Sequence, residues 1–158
     1  MDKITPFLWY DGKAEEAANL YVSVFRNSRI TKVRYWGEGA PAPKGTVMGL
    51  DFELEGRSYV AFNGGPNFTF NPAISLFVNC DTQEEVDEIW AKLTADGGKP
   101  VQCGWLTDKF GVSWQIIPKA LAEMLSDPDP AKASRVIKAM MQMIKIDVAG
   151  LKRAYDES

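Results

Sequence analysis

Histidine is absent from the 158 residues of this chain. Its absence removes the commonest general base near neutral pH and the commonest nitrogen ligand of metal ions. Nucleophilic mechanisms that need a Ser-His-Asp or Cys-His arrangement are therefore excluded. A metal site in this chain would depend on sulfur and oxygen ligands, and an oxygen-only site suits hard cations.

Cysteine is scarce as well, with Cys80 and Cys103 as its two copies. Two cysteines make no disulfide framework, and they are too few for a structural zinc–thiolate site. No apolar run approaches the roughly 18 residues of a membrane-spanning helix, and the N-terminus lacks the pattern of a signal peptide. A net charge of −3 gives no general attraction to nucleic acid or anionic lipid. We expect a cytoplasmic protein without a nucleic-acid or membrane partner.

Two similar segments of the chain begin about 70 residues apart, which is the signature of an internal repeat. The first runs from Ile4 to Asp11 and continues into a helix-period segment, and the second runs from Ile74 to Asp81 and does the same. Each has a short apolar run, an acidic turn residue and a helix that opens with a Glu pair. The repeat predicts two equivalent modules, and function is expected where they face each other.

Each module is predicted to contain a strand, a helix and two or three further strands, so the fold class is α+β. In the first module, residues 3–66, the pattern indicates a strand over 3–10, a helix over 14–25, a strand over 29–36 and a hairpin over 46–54 and 57–63. In the second, residues 73–118, it indicates a strand over 74–80, a helix over 83–95 and strands near 100–106 and 112–117. Glycine and proline mark residues 37–45 as a loop, and 67–72 link the modules.

Residues 119–158 have no counterpart in the first copy and are predicted to be a helical extension of the same domain. A short helix is expected over 119–126. Asp129 is expected to cap a second helix that starts at Pro130, and Asp147 to cap a third that ends near 156.

The four strands that open and close the modules carry the candidate ligand site. Their inward positions are aromatic or apolar with a few uncharged hydrogen-bonding groups, which is the usual lining of a small-molecule pocket. The predicted cleft residues are Thr5, Phe7, Trp9, Tyr59, Ala61, Asn63, Ser75, Phe77, Asn79, Ser113, Gln115 and Ile117. The alternative is that these residues fill a core and pair locally.

Several other residues have two interpretations. Gln115 either orients a ligand or bonds to its neighbours, because a buried amide needs partners. Asp51, Glu53 and Glu55 form either an acidic site or the solvated side of a strand. Cys103 is either a reactive thiol or a small buried side chain. The cluster Met140, Met141 and Met143 is either core or a dimer contact.

The segment Thr107-Asp-Lys-Phe-Gly-Val-Ser-Trp-Gln-Ile-Ile117 resembles the closing strand of the PhnB-like branch of the vicinal oxygen chelate (glyoxalase/bleomycin resistance) superfamily. The opening Phe7-Leu-Trp-Tyr-Asp-Gly-Lys-Ala-Glu-Glu-Ala and the later Asn63-Gly-Gly-Pro66 resemble the same branch. Its members are often described as 3-demethylubiquinone-9 3-methyltransferase domains. The resemblance covers about residues 3–118 and implies two βαβββ modules in an open, U-shaped barrel, commonly as a homodimer.

Metal-dependent members of the superfamily place ligands on the opening and closing strands, near Thr5, Tyr59, Ser75 and Gln115 here. None of these is His, Glu or Asp, and one neutral amide does not hold a divalent ion against water. We therefore expect no metal and no cofactor. A methyltransferase activity is also not supported, because no glycine-rich strand–helix turn suited to S-adenosylmethionine is found.

Three functions follow from these expectations. The first is metal-free binding of a small, partly aromatic or amphipathic molecule in the cleft between the modules. The second is an enzyme, a lyase, dioxygenase or transferase, with an atypical oxygen-ligated metal or with Asp108 or Glu53 as its base. The third is an interaction module whose Met-rich helices join subunits.

Overall fold

The computed structural model describes residues 1–157 and divides into two compact units, one ending at Thr69 and the other starting at Phe70. The boundary falls inside the segment 67–72. In the part of the chain that the structure describes, no helix has the length and apolarity required to cross a membrane.

The first unit has the order strand, helix and three strands. Its elements are β1 (Phe7–Tyr10), α1 (Ala14–Val24), β2 (Arg29–Tyr35), β3 (Val47–Leu54) and β4 (Arg57–Asn63). The sheet order is β1-β4-β3-β2, with β1 parallel to β4 and the other neighbours antiparallel. The predicted βαβββ module is confirmed. The strand predicted over 3–10 is shorter, because regular pairing starts only after Pro6, and β1 is an edge strand.

Helix α1 covers one face of this sheet with its small and aromatic side chains. Ala14, Ala17, Ala18 and Tyr21 are fully buried there, and the Tyr10 hydroxyl donates to the Tyr21 hydroxyl at 3.1 Å. The sheet contributes Leu50, Phe52, Leu54 and Ala61 to this core. The hairpin turn forms as predicted at Glu55-Gly56, where both residues have positive φ, at 49° and 78°. That geometry matches the twist of the two flanking strands.

The second unit repeats the order of the first and adds helices. Its elements are β5 (Ser75–Cys80), α2 (Gln83–Thr94), a single turn over Ala95–Gly97, β6 (Lys99–Pro100), β7 (Trp105–Thr107), β8 (Ser113–Pro118), α3 (Lys119–Leu125), α4 (Pro130–Met141) and α5 (Val148–Asp156). The sheet order is β5-β8-β7-β6, with β5 parallel to β8. Of Asp81 and Thr82, the two residues that the sequence offers as N-cap of α2, it is Thr82 that caps the helix, with its Oγ1 accepting from the Glu85 amide at 3.2 Å.

The strand predicted over 100–106 is wrong, because a turn separates β6 from β7. Cys103 and Gly104 both have positive φ, at 60° and 83°. The Cys103 amide donates to the Met143 carbonyl at 2.9 Å and the Gly104 amide to the Ile144 carbonyl at 2.8 Å. The turn therefore bonds to the segment between α4 and α5 instead of continuing the sheet.

The three added helices form a second small core on the closing strand of this unit. Its buried members are Ile117, Leu121, Val136, Ile146 and Leu151. Met140 and Met143 pack against it, whereas Met141 is 56% exposed. Asp129 caps α4 through its bond from the Ala131 amide. Asp147 makes no side-chain cap on α5, because the Val148 amide donates to Gln83 Oε1 at 2.7 Å instead.

Candidate functional site

The face of the first sheet opposite α1 carries a group of aromatic side chains, here called the aromatic face. Its members are Phe7, Trp9, Trp36, Phe62 and Phe68. The ring of Phe62 is at its centre, with ring centroids 5.3 Å from Phe7, 5.4 Å from Trp9 and 6.0 Å from Trp36. Phe68 contacts Trp9 at 5.0 Å.

Two of these rings are largely open to solvent. Phe7 is 59% exposed and Phe68 is 65% exposed, although aromatic side chains are normally among the most buried. The tilted and edge-to-face arrangement of the group is the one that the ring quadrupoles favour. The aromatic face therefore offers an apolar surface of defined shape.

The segment Asn63-Gly-Gly-Pro66 fixes the Trp9 indole on this face. A Cβ added to Gly64 would be 2.2 Å from the Trp9 ring, so only glycine lets the ring lie against the backbone here. The indole N–H donates to the Gly65 carbonyl at 2.9 Å. Trp9 is thus held in place before any ligand binds.

Asn63 has a structural role on the other face of the sheet. Its Oδ1 accepts from the Ala14 amide at 2.9 Å, at the start of α1, and its Nδ2 donates to the Val47 carbonyl at 3.0 Å. Both halves of the amide are therefore used to join the helix to the sheet.

The register of the first sheet separates the predicted cleft residues of this unit. Phe7 pairs with Val60 and Trp9 with Phe62, so these four share the aromatic face. Tyr59, Ala61 and Asn63 alternate with Val60 and Phe62 along β4 and lie on the α1 face. The expectation that they share a face with Phe7 and Trp9 is wrong. Tyr59 stacks on Phe52 with centroids 5.4 Å apart, and burial raises its pKa. Thr5 precedes β1, and its hydroxyl donates to the Asp2 carbonyl.

The second unit brings its predicted residues onto one face, here called the polar face. Ser75 pairs with Ser113, Phe77 with Gln115 and Asn79 with Ile117. Phe77 is 53% exposed, whereas Ser113 and Ile117 are buried. Ile117 belongs to the core of the added helices and so does not line an accessible surface, contrary to the prediction.

Gln115 bonds to its neighbour on β5. Its Nε2 donates to the Ser75 hydroxyl at 2.9 Å, which agrees with local pairing. Of the four strand positions at which metal-dependent relatives place ligands, Tyr59 lies on the α1 face of the first sheet, and Gln115 and Ser75 bond to each other in the second. Within residues 1–157 no group of three His, Cys, Asp or Glu side chains is positioned to hold a metal ion.

The carboxylates considered as bases have structural partners. Asp108 is 2% exposed, and its oxygens accept from the Phe110 and Val112 amides and from the Trp114 indole at 2.9–3.0 Å. Glu53 accepts from Arg29 at 2.8 Å. Glu55 lies in the hairpin turn and accepts from the Arg26 amide. These hydrogen bonds give the three carboxylates structural roles.

Neither cysteine is part of a candidate site. Burial raises the pKa of the Cys80 thiol to about 12, so it stays protonated at neutral pH. Cys103 is half-buried in the turn between β6 and β7 and is not bonded to Cys80.

A family model described as 3-demethylubiquinone-9 3-methyltransferase matches residues 2–117. The chain belongs to this family. The match ends at the closing strand of the second unit, so α3, α4 and α5 lie outside it.

Solved structures of relatives agree with this membership of the PhnB-like branch. A PhnB protein from Bacillus cereus, described as a 3-demethylubiquinone-9 3-methyltransferase, is 41% identical and has a TM-score of 0.68. The alignment covers 74% of this chain and 99% of that one. Protein PA1353 from Pseudomonas aeruginosa, 20% identical over 75% of this chain and 98% of that one, shares the fold with a TM-score of 0.61. No curated protein matches the chain.

The methyl donor that the family description implies does not fit these residues. β1 leads into α1 through Asp11-Gly-Lys13, and β5 leads into α2 through Asp81-Thr82. The two turns together contain one glycine. The Ala14 amide of α1 donates to Asn63 Oδ1, and the Glu85 amide of α2 donates to Thr82 Oγ1. A nucleoside-type cofactor is usually held by a glycine-rich turn at a helix N-terminus, and neither of these turns is glycine-rich.

Proposed function

We propose that this protein binds a small, partly aromatic or amphipathic molecule on the aromatic face of its first unit, without a metal ion. The observation that carries this proposal is the group of five rings, of which Phe7 and Phe68 are more than half exposed. Leaving such rings in water costs free energy, because each buried aromatic side chain contributes about 1.5–3 kcal/mol. A ligand that covers them recovers part of that free energy.

The arrangement of the rings supports binding rather than packing. Trp9 is anchored to Gly65 through its N–H and lies against Gly64. A ligand would therefore meet rings that are already ordered, which lowers the entropic cost of binding. A small-molecule site typically has an apolar wall with a few hydrogen-bonding groups beside it.

The proposal is tested with 1-naphthalenemethanol, a neutral probe with an aromatic ring and one hydroxyl. Isothermal titration calorimetry of the whole protein should show saturable binding that is unchanged by a chelator. Phe7→Ala should weaken the affinity by about three- to tenfold, the loss expected when part of an apolar contact is removed. Because Phe7 is exposed, the variant should keep its fold by circular dichroism.

The matched control is Ile144→Ala. Ile144 is 55% exposed, close to the value for Phe7, but lies between α4 and α5 in the second unit. Its truncation should leave the affinity for the probe unchanged. Equal losses in the two variants, or no binding to the wild-type protein, would overturn the proposed function.

A further inference from the structure

A bidentate ion pair lies on the aromatic face, beside the rings. The two terminal nitrogens of Arg34 donate to the two carboxylate oxygens of Asp51 at 2.6 and 2.7 Å. In the sheet register Asp51 pairs with Val60, and Val60 pairs with Phe7. The pair is therefore on the same side of the sheet as Phe7.

Gly49 connects the ion pair to the rings. It pairs with Arg34 on one side and with Phe62 on the other. A Cβ at this position would be 2.9 Å from the Ala61 carbonyl oxygen and 3.7 Å from the Phe62 ring. Glycine thus lets the Phe62 ring lie over the strand, and no side chain of β3 separates that ring from Arg34.

The charge offered to solvent at this place is positive. The Asp51 side chain is 13% exposed, whereas that of Arg34 is 34% exposed. Arginine has five N–H donors, and the carboxylate of Asp51 uses two of them. Lys32, which pairs with Asp51 in the register, is exposed and adds a second cation. Two cations thus surround one carboxylate that is itself largely covered.

Asp51 remains ionised in this setting. The hydrogen bonds from Arg34 hold the pKa of the carboxyl below its usual range, and the positive charges of Arg34 and Lys32 act in the same direction. The same pair raises the pKa of Arg34. Both members of the pair are therefore charged at neutral pH.

We propose, as an extension of the proposed function and resting on it, that the ligand is an aromatic anion. Its ring covers Phe7 and Phe62, and its carboxylate, phenolate or sulfonate accepts hydrogen bonds from the free N–H groups of Arg34, with Lys32 nearby. Charge-assisted hydrogen bonds are roughly twice as strong as neutral ones. Arg34 is then the residue that determines specificity, and the rings supply most of the affinity.

The experiment compares three probes with the same ring: 1-naphthoate, 1-naphthalenemethanol and 1-naphthylmethylamine, titrated calorimetrically at pH 7. We expect 1-naphthoate to bind about three- to tenfold more tightly than the alcohol, and the amine to bind least. In Asp51→Asn the affinity for 1-naphthoate should rise, because Arg34 loses its competing carboxylate. In Arg34→Gln combined with Asp51→Asn the advantage of 1-naphthoate over the alcohol should shrink to the part that Lys32 supplies.

The control is Glu88→Gln combined with Lys92→Gln, which removes an ion pair of 3.0 Å on α2 and should preserve the order of the probes. Equal binding of the alcohol and the anion to the wild-type protein, or preference for the amine, would overturn this inference and leave the proposed function standing. An undiminished preference for the anion in Arg34→Gln with Asp51→Asn would also overturn it. If none of the probes binds, the proposed function fails as well.

Discussion

Phe7 and Phe77 stand at the same place in the two copies of the repeat, and both are more than half exposed. Their surroundings differ. On the same face of the first sheet, the next pair along the strands is Trp9 with Phe62. The corresponding pair on the second sheet is Asn79 with Ile117. One backbone plan thus supports an apolar surface in the first unit and a hydrogen-bonding surface in the second.

The packing of Phe62 and of Ile117 explains the difference. Phe62 contacts three other rings on the aromatic face. Ile117 is 7% exposed because it packs into the core of the added helices, with Leu121 and Leu151 among its members. The end of the closing strand packs against the added helices in the second unit, whereas the corresponding place in the first unit is part of the aromatic face.

The largest effect that tests this comparison comes from truncating these two residues. Ile117→Ala should lower the free energy of unfolding by about 2–4 kcal/mol, because it leaves a cavity in a closed core. Phe62→Ala should cost less stability, since Phe62 is half-buried, but should abolish binding of 1-naphthalenemethanol. Urea unfolding and calorimetric titration measure the two quantities.

The comparison fails if the two variants lose similar amounts of stability. A loss of stability in Phe62→Ala as large as that in Ile117→Ala would mean that the rings form a core. Val136→Ala serves as the matched control, because Val136 is fully buried in the same helical core and should be destabilising without any effect on the probe.

The second prediction concerns the ends of the two closing strands. β4 is followed by Gly64, which lies under the Trp9 ring, whereas β8 leads directly into α3. Gly64→Ala should destabilise the protein by about 1–3 kcal/mol, the usual cost of overpacking. It should also shift the tryptophan fluorescence and weaken probe binding, because the indole has to move.

A double-mutant cycle isolates the contact. In a Trp9→Leu background Gly64→Ala should cost much less, since the clashing ring is gone. Gly37→Ala is the control, because a Cβ at Gly37 meets nothing within 4 Å. Full additivity of the Gly64 and Trp9 changes would show that the glycine is needed for some other reason.

The order of the elements can be predicted from the sequence because the signals that mark each element are local. Hydrophobic alternation, the Glu55-Gly56 turn and the Thr82 cap each depend on neighbouring residues. The turn at residues 101–104 escapes prediction because its amides bond to carbonyls about 40 residues later in the chain, at Met143 and Ile144. The arrangement of the two sheets into one barrel, and the homodimer, stay predictions.

The candidate site is harder to predict because alternation gives two faces but does not say which one the helix covers. Along β4 the apolar residues fall on both, with Tyr59 and Ala61 on one and Val60 and Phe62 on the other. Asn63 looks like a pocket residue in the sequence, whereas its amide joins α1 to β3. Phe68 lies in the linking segment 67–72, where no periodicity points to it, and Trp36 ends the strand predicted over 29–36 but follows β2 in the structure.

The smallest effect concerns the charges that distinguish the two faces. The polar face extends to Lys99 of β6, which pairs with Thr107, whereas the aromatic face holds the oppositely charged Arg34–Asp51 pair. Because the folded state holds the pKa of Asp51 below its unfolded value, the pair stabilises the protein above that unfolded value. This stability should be lost as the pH falls through the folded pKa, below about pH 4.

The size of this contribution should be about 0.5–1 kcal/mol, since the pair is only partly buried. Urea unfolding of the wild-type protein and of Arg34→Gln with Asp51→Asn, from pH 7 down to pH 3, measures it as the narrowing gap between the two curves. A gap that stays constant over this range would show that the carboxylate contributes nothing through its charge. The aromatic face would then differ from the polar face in its rings and not in a stabilising ion pair.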